Sequence, residues 1–200
     1  MLLQKINDKQ LILASGSPRR RHLLDQVGIE FTIADKYPCD ELYPHDLPAR
    51  KVAPYLAECK SRAYPNTLAD NQILITAETV VMFGGEVLGK PSGRSDALRM
   101  LRKLSGRTHT VMTGVTLRSS ARTVTFESVS EVTFRTLTDE ELEYYVDNFR
   151  PYDKAGAYGI QEWIGYAAVE RIEGSFYNVM GLPVQRLYVE LERFVDDMNR

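Results

Sequence analysis

The stretch from Gln72 to Lys90, QILITAETVVMFGGEVLGK, constrains the fold more than any other part of the chain. It reads as an apolar strand, a break at Ala77-Glu78-Thr79, a second strand, and a Gly84-Gly85 hairpin turn into a third. Strands this close in sequence commit the core to a sheet, and the segments on either side supply helices for its faces. Upstream, Ile12 and Leu13 belong to a short buried strand. Ser17 then caps a helix with Pro18 at its first position, Leu23, Leu24 and Val27 on its inner face, and Gly28 at its end. EFTIA, residues 30–34, is strand-like, and a helix is predicted from Pro54 to just before Pro65, with Leu56, Cys59 and Ala63 inward and Lys60 to one side. Downstream, residues 93–104 form a helix through Leu98, Leu101 and Leu104, closed by Gly106. HTVMTGVTL and TVTFESVSEVTFR read as an antiparallel pair, and Thr138 with Glu141 makes a capping box for a helix through Leu142 and Val146. DKAGAYGIQ, residues 153–161, has no periodic pattern, because its glycines and small residues offer no packed face. Ile164 to Ile172 reads as a strand, and Pro183 starts a final amphipathic helix through Val184, Leu187, Leu191 and Phe194. This order predicts an α/β fold with a mixed central sheet flanked by helices rather than a strictly doubly wound one. With 200 residues, 44% of them apolar, one domain over 1–200 is expected.

The net charge of −2 and pI near 6.0 exclude a generally basic protein that coats nucleic acid, so any affinity for anions must be local. One such place stands out in LILASGSPRRRHLL, where Arg19, Arg20 and Arg21 follow a Ser15-Gly16-Ser17 turn. A helix N-terminus already carries partial positive charge, so three cations there are unfavourable unless an anion comes to them. The turn's N–H groups, a hydroxyl and guanidinium forks suit phosphates; the alternative is an ordinary Ser-Pro helix start with solvated arginines. Cys39 and Cys59 have no paired neighbours, which argues against zinc and against a disulfide framework. No apolar run approaches the roughly 18 residues of a membrane span, and MLLQKINDKQ lacks a signal-peptide pattern. The expectation is a soluble cytoplasmic protein that binds neither membrane nor nucleic acid.

Other chemistry is more scattered. GGEVLGKP satisfies G-x-x-x-x-G-K at Gly84, Gly89 and Lys90, but Pro91 stands where a P-loop needs a hydroxyl for magnesium, and the segment crosses a hairpin. Lys90 is then either an anion contact or a surface lysine. Asp40, Glu41 and Glu78 are hard oxygen ligands suited to Mg²⁺ or Mn²⁺ with substrate phosphates. Asp40 and Glu41 equally suit a solvated loop, whereas Glu78 lies between ITA and TVVMF, where an unpaired charge is costly. His22, His45 and His109 share no metal-ligand spacing, and no G-x-S-x-G elbow is present. Trp163 and the eleven tyrosines show no single-face clustering of a base-stacking platform.

Taken together, LILASGSPRRRHLL, CDE, YLAECKSRA, TAETVVM, GEVLGKP, LRKLSGRTHTVMTGV, EVTFRTLTDEELEYYV, YDKAGAYGIQ and MGLPV resemble the Maf family of nucleoside triphosphate pyrophosphatases over nearly the whole length. The resemblance implies a two-lobed α/β molecule around a cleft, related to the inosine triphosphate pyrophosphatases. It also implies hydrolysis of the bond between the α- and β-phosphates with a divalent cation, and a homodimer. By this resemblance Ser15, Arg19, Arg20, Lys60 and Lys90 bind the triphosphate, Glu41 and Glu78 serve the metal, and Glu78 is the proton acceptor for the attacking water.

Three positions resemble those that separate subtypes in the family: Arg19, Thr79 and Gln161 match the dTTP/UTP branch, where a 7-methyl-GTP branch has Trp, Gln and Glu. A Gln amide donates to a uracil or thymine carbonyl and accepts from N3–H, while a Trp face favours a cationic methylated ring. One residue departs from the family pattern, Glu78 in A-E-T standing for the usual Asp. The extra methylene shifts the carboxylate by roughly 1 Å, a displacement that can cost about 10²-fold in rate. The resemblance implies roles in cleaning the nucleotide pool and in cell-division arrest. Two alternatives stand beside it, a nucleotide-binding regulator weakened at Glu78 and a pyrophosphatase of 7-methyl-GTP.

Overall fold

The structure is a computed structural model that describes residues 1–199. In chain order it contains α1 (Leu2–Lys5), β1 (Gln10–Leu13), α2 (Pro18–Gln26), β2 (Thr32–Ile33), α3 (Ala49–Ala63), β3 (Gln72–Phe83) and β4 (Glu86–Leu88). There follow α4 (Arg94–Leu104), β5 (Thr108–Arg118), β6 (Thr123–Phe134), α5 (Asp139–Phe149), a 3-10 turn (Ala155–Ala157), α6 (Trp163–Ala168), β7 (Val169–Glu173), α7 (Phe176–Met180) and α8 (Val184–Met198). The strands run in the order β2-β1-β3-β5-β6-β7, with β4 added to β3. β1 is parallel to β2 and β3, with Ile12 opposite Thr32 and Leu74, while β3–β4 and β6–β7 are antiparallel. The expected mixed sheet flanked by helices is therefore present. Among the described residues no helix is long and apolar enough to cross a membrane.

The chain divides into two compact units. The first holds Met1–Glu78, Thr113–Ser128 and the chain from Gly181 onward; the second holds Thr79–Met112 and Val129–Met180. In the first, Leu11, Leu13, Leu24, Val52, Ile73 and Ile75 are buried, and Ile12, Ala14, Leu68 and Leu74 form a cluster against Ala34, Tyr37 and Tyr64. In the second, Val81, Leu88, Leu101, Val132, Phe134 and Tyr145 belong to one core. The central strands β3 and β5 are buried at runs of consecutive residues, so both of their faces are covered, which removes apolar area from water at about 25 cal/mol per Å². The predicted pairing of β5 with β6 is visible in its side chains. Thr108 bonds Thr133 at 2.8 Å and Thr110 bonds Glu131 at 2.8 Å in the second unit, and Thr116 bonds Thr125 at 2.9 Å in the first, stepping down one strand and up the other. The capping box also forms, with Thr138 N–H on Glu141 Oε2 at 2.9 Å and Glu141 N–H on Thr138 Oγ1 at 3.2 Å.

Several expectations are corrected. No break occurs at Ala77-Glu78-Thr79: β3 is continuous, because successive side chains alternate in facing and Glu78 finds a cationic partner without the strand having to stop. α3 begins at Ala49, with Pro54 inside it. A proline there loses one intrahelical bond, yet it also presents a nitrogen with no hydrogen, and that nitrogen faces Gly114, where a Cβ would lie only 2.4 Å away. The strand expected at 30–34 shrinks to Thr32–Ile33, and Pro183 caps α8 instead of opening it. Ile164 to Ile172 is a helix turning into a strand: Ile164 and Ala168, four apart, are both buried, so a helical face reads as a continuous apolar run. The segment 153–161, which has no periodic pattern, is buried at Lys154 and from Gly156 to Ile160. Gly156, at φ +68, packs its Cα against Val81, where a Cβ would come within 2.9 Å, so backbone rather than side chains fills the space.

Candidate active site

In the first unit β1 pairs with β3, and α3 packs against the same strand. Thr76 donates to the Ala57 carbonyl at 2.7 Å and fixes the helix against the strand. One helical turn beyond Ala57 is Lys60, and two strand residues beyond Thr76, on the same face, is Glu78. The register thus brings ammonium and carboxylate together. Lys60 Nζ contacts Glu78 Oε2, and it also donates to Glu41 Oε1 at 2.8 Å from the loop before α3. The Lys60 and Glu78 side chains are only 17% and 13% exposed, whereas Glu41 is 43% exposed. Burial acts to lower the Lys60 pKa, but the charges and hydrogen bonds of Glu78 and Glu41 prevail and hold it above its ordinary value. Tyr37 donates to the Lys60 carbonyl at 2.8 Å and, with its phenol pushed up to about 12 mainly by burial, remains a donor at neutral pH.

The basic turn lies in the same unit. Ser15 Oγ accepts from the Ser17 N–H at 3.3 Å, which shapes the entry to α2. Arg20, 8% exposed, is turned inward: Nε donates to the Gly181 carbonyl at 2.8 Å, and Nη1 donates to the Ala77 carbonyl at 2.8 Å and to Ser15 Oγ at 3.3 Å. Burial, with the charge of Arg19, lowers its pKa against the pull of Glu78 and Glu41, but a guanidinium stays cationic at neutral pH. Arg20 therefore tethers the residue before Glu78 and holds the Ser15 hydroxyl. Arg19 is half-buried beside it, while Asp40 is exposed.

Of the remaining sequence-predicted residues, Thr79, Lys90 and Gln161 belong to the second unit. Thr79 continues β3, and exposed Lys90 follows β4. The Gly89 carbonyl accepts the Gly156 N–H at 3.1 Å, tying the end of β4 to the turn that leads to Gln161. Gln161 Oε1 is buried with no hydrogen-bond partner among the described residues. A buried acceptor without a donor costs about 1–3 kcal/mol. His109 lies elsewhere in this unit, bonded through Nε2 to the Tyr158 hydroxyl at 2.7 Å and edge-on to Phe134. Four residues carried no sequence reading: Tyr37, which bonds the Lys60 carbonyl, and Tyr145, Lys154 and Glu162, which bond one another beside Gly159; the one signal available was a Lys and a Glu flanking a run of small residues.

A family profile described as Maf-like protein matches residues 10–194. The chain belongs to the Maf family. Similar Maf relatives are a dTTP/UTP pyrophosphatase from Porphyromonas gingivalis, 51% identical over 96% of this chain and 98% of its own length, and one from Bacteroides thetaiotaomicron, 47% identical over 96% and 100%. A solved structure of a HAM1 protein from Coxiella burnetii aligns with a TM-score of 0.47 at 12% identity over 92% of this chain and 99% of that one. Among the described residues of this Maf protein no group of three or more His, Cys, Asp or Glu side chains could hold a metal. Two carboxylates do converge on one cation at Lys60, and that donor set fits a hard divalent ion whose shell is completed by substrate phosphates and water.

Proposed function

We propose that this Maf protein is a nucleoside triphosphate pyrophosphatase that converts dTTP and UTP to the monophosphate and pyrophosphate. The observation that carries the reading is the convergence of Glu41 and Glu78 on Lys60 beside the basic turn, in a chain 51% identical to a relative named for that activity. In this reading Ser15, Arg19, Lys60 and Lys90 hold the triphosphate. Arg20 contributes its positive field and keeps Ser15 and the Ala77 carbonyl in place. Glu41 and Glu78 would hold Mg²⁺ or Mn²⁺, which when bound neutralises charge on the phosphates. Glu78 accepts the proton of the attacking water, a role worth about 10² to 10⁴ in rate. Lys60, already paired with both carboxylates, orients Glu78 for that role.

Base preference is assigned to Arg19, Thr79 and Gln161. The unpartnered Gln161 Oε1 supports this reading, because uracil and thymine present an N3–H donor and cytosine does not. A neutral amide in place of a carboxylate also disfavours 7-methyl-GTP. The test is pyrophosphate release from dTTP, UTP, CTP, GTP and 7-methyl-GTP with Mg²⁺ and Mn²⁺ in turn. Turnover led by dTTP and UTP is expected; preference for 7-methyl-GTP, or metal-independent binding without turnover, would replace the reading.

A further inference from the structure

The turn around Gln161 carries more buried charge than a surface loop needs. Lys154, its side chain 9% exposed, places Nζ 2.7 Å from Asp153 Oδ1 and 3.0 Å from Glu162 Oε1. The other oxygen of Glu162, a side chain 20% exposed, accepts from the hydroxyl of Tyr145, which is fully buried on α5. The same hydroxyl accepts the Gly159 N–H at 3.0 Å. Burial first, and then Glu162, raise the Tyr145 pKa, so the phenol keeps its proton as a donor. Gly159 is where these groups meet. A Cβ there would lie 3.0 Å from both Lys154 Cε and Glu162 Cδ and 3.2 Å from Gln161 Nε2. Ion pairs withdrawn from water are often no more stabilising than apolar residues of the same size, so stability alone does not explain this one.

We propose that Tyr145, Lys154 and Glu162 are positioning residues that hold the Gln161 amide in one orientation and so set selectivity for uracil and thymine over cytosine. The inference rests on Gln161 reading the base. The two ends of an amide differ by a half-turn: with Oε1 toward the base it accepts from N3–H of uracil or thymine, and with Nε2 toward the base it donates to N3 of cytosine. An amide free to turn serves both, and a held amide serves one. Glu162 Cδ and Gln161 Nε2 both border the space a Cβ on Gly159 would fill, at 3.0 and 3.2 Å from it, and a carboxylate fixed on that side favours the amide nitrogen over Oε1 there. Lys154 and Tyr145 each bind one oxygen of that carboxylate and keep it there.

The experiment is kcat/KM for UTP and CTP in the native protein and in Glu162→Gln, Lys154→Met, Tyr145→Phe and Gln161→Ala. A tenfold or greater fall in the UTP-to-CTP ratio is expected for Glu162→Gln and Lys154→Met, carried by better use of CTP, with kcat for UTP within about threefold of native. Lys154→Arg should keep most of the ratio. Tyr145→Phe preserves the ring packing, so it reports the same direction of change even where Lys154→Met folds poorly. A merely structural network would lower both substrates in parallel and leave the ratio unchanged, which overturns the inference. If Gln161→Ala flattens the ratio while the network variants do not, only this inference falls; if Gln161→Ala leaves the ratio untouched, the reading of Gln161 as the base reader falls with it.

Discussion

At Glu78 a carboxylate sits within a buried strand and is tolerated because Lys60 meets it. Removing either partner leaves a partly buried charge uncompensated. Lys60→Met should therefore weaken both stability and triphosphate binding, seen as a lower Tm and a raised KM. The longer Glu78 side chain is expected to be functional yet slower than Asp, so Glu78→Asp should raise kcat by up to about 10². His109 supplies an independent prediction. Burial pushes its pKa from an ordinary 6.5 down to about 4. The unfolded chain therefore takes up a proton between those values that the folded chain does not. Stability is fully present above pH 6.5 and declines as pH falls toward 4, by about 3 kcal/mol in total. Urea midpoints measured from pH 7 to 4.5 should show that slope, and His109→Phe should remove it.

Among the elements, the contact of α3 with β5 is the most demanding. A methyl at Gly114 would strike the backbone of Ala53 and Pro54, at 2.5 and 2.4 Å, so Gly114→Ala should cost at least about 2 kcal/mol and lower activity by shifting Lys60. A denaturation curve and a UTP assay on the same variant check both. By contrast, Thr138→Ala removes one capping bond on α5 and should cost about 1 kcal/mol with the UTP-to-CTP ratio unchanged. The elements show what was legible in the sequence. Hairpin glycines, the capping box and the long alternating strands carry local signals, and all three form as read. The span of α3 and the helical start of the 163–173 segment do not carry such signals. Pro54 reads as a helix start, yet the helix begins at Ala49 and runs through it, against Gly114 sixty residues away. Likewise, the apolar residues of 164–169 suit strand or helix, and packing decides.

Over the whole molecule, the net charge of −2 means that binding of a polyanionic nucleotide depends on a local arrangement rather than a general field. Several of its members could be named from motif resemblance, but their partners could not. That Lys60 bridges Glu41 and Glu78 depends on three separated segments, and that Arg20 faces carbonyls depends on Ala77 and Gly181, neither of which carries a polar side chain. Triphosphate KM should rise with ionic strength, as expected when exposed cations such as Lys90 contribute through space. The most direct test of the account is pyrophosphate release from UTP and dTTP, with Mg²⁺ or Mn²⁺, by the native protein and by Glu78→Gln. Robust turnover by the native protein is expected, with a loss of about 10² to 10⁴ in the variant and nucleotide still bound. Equal turnover by the two proteins would contradict it.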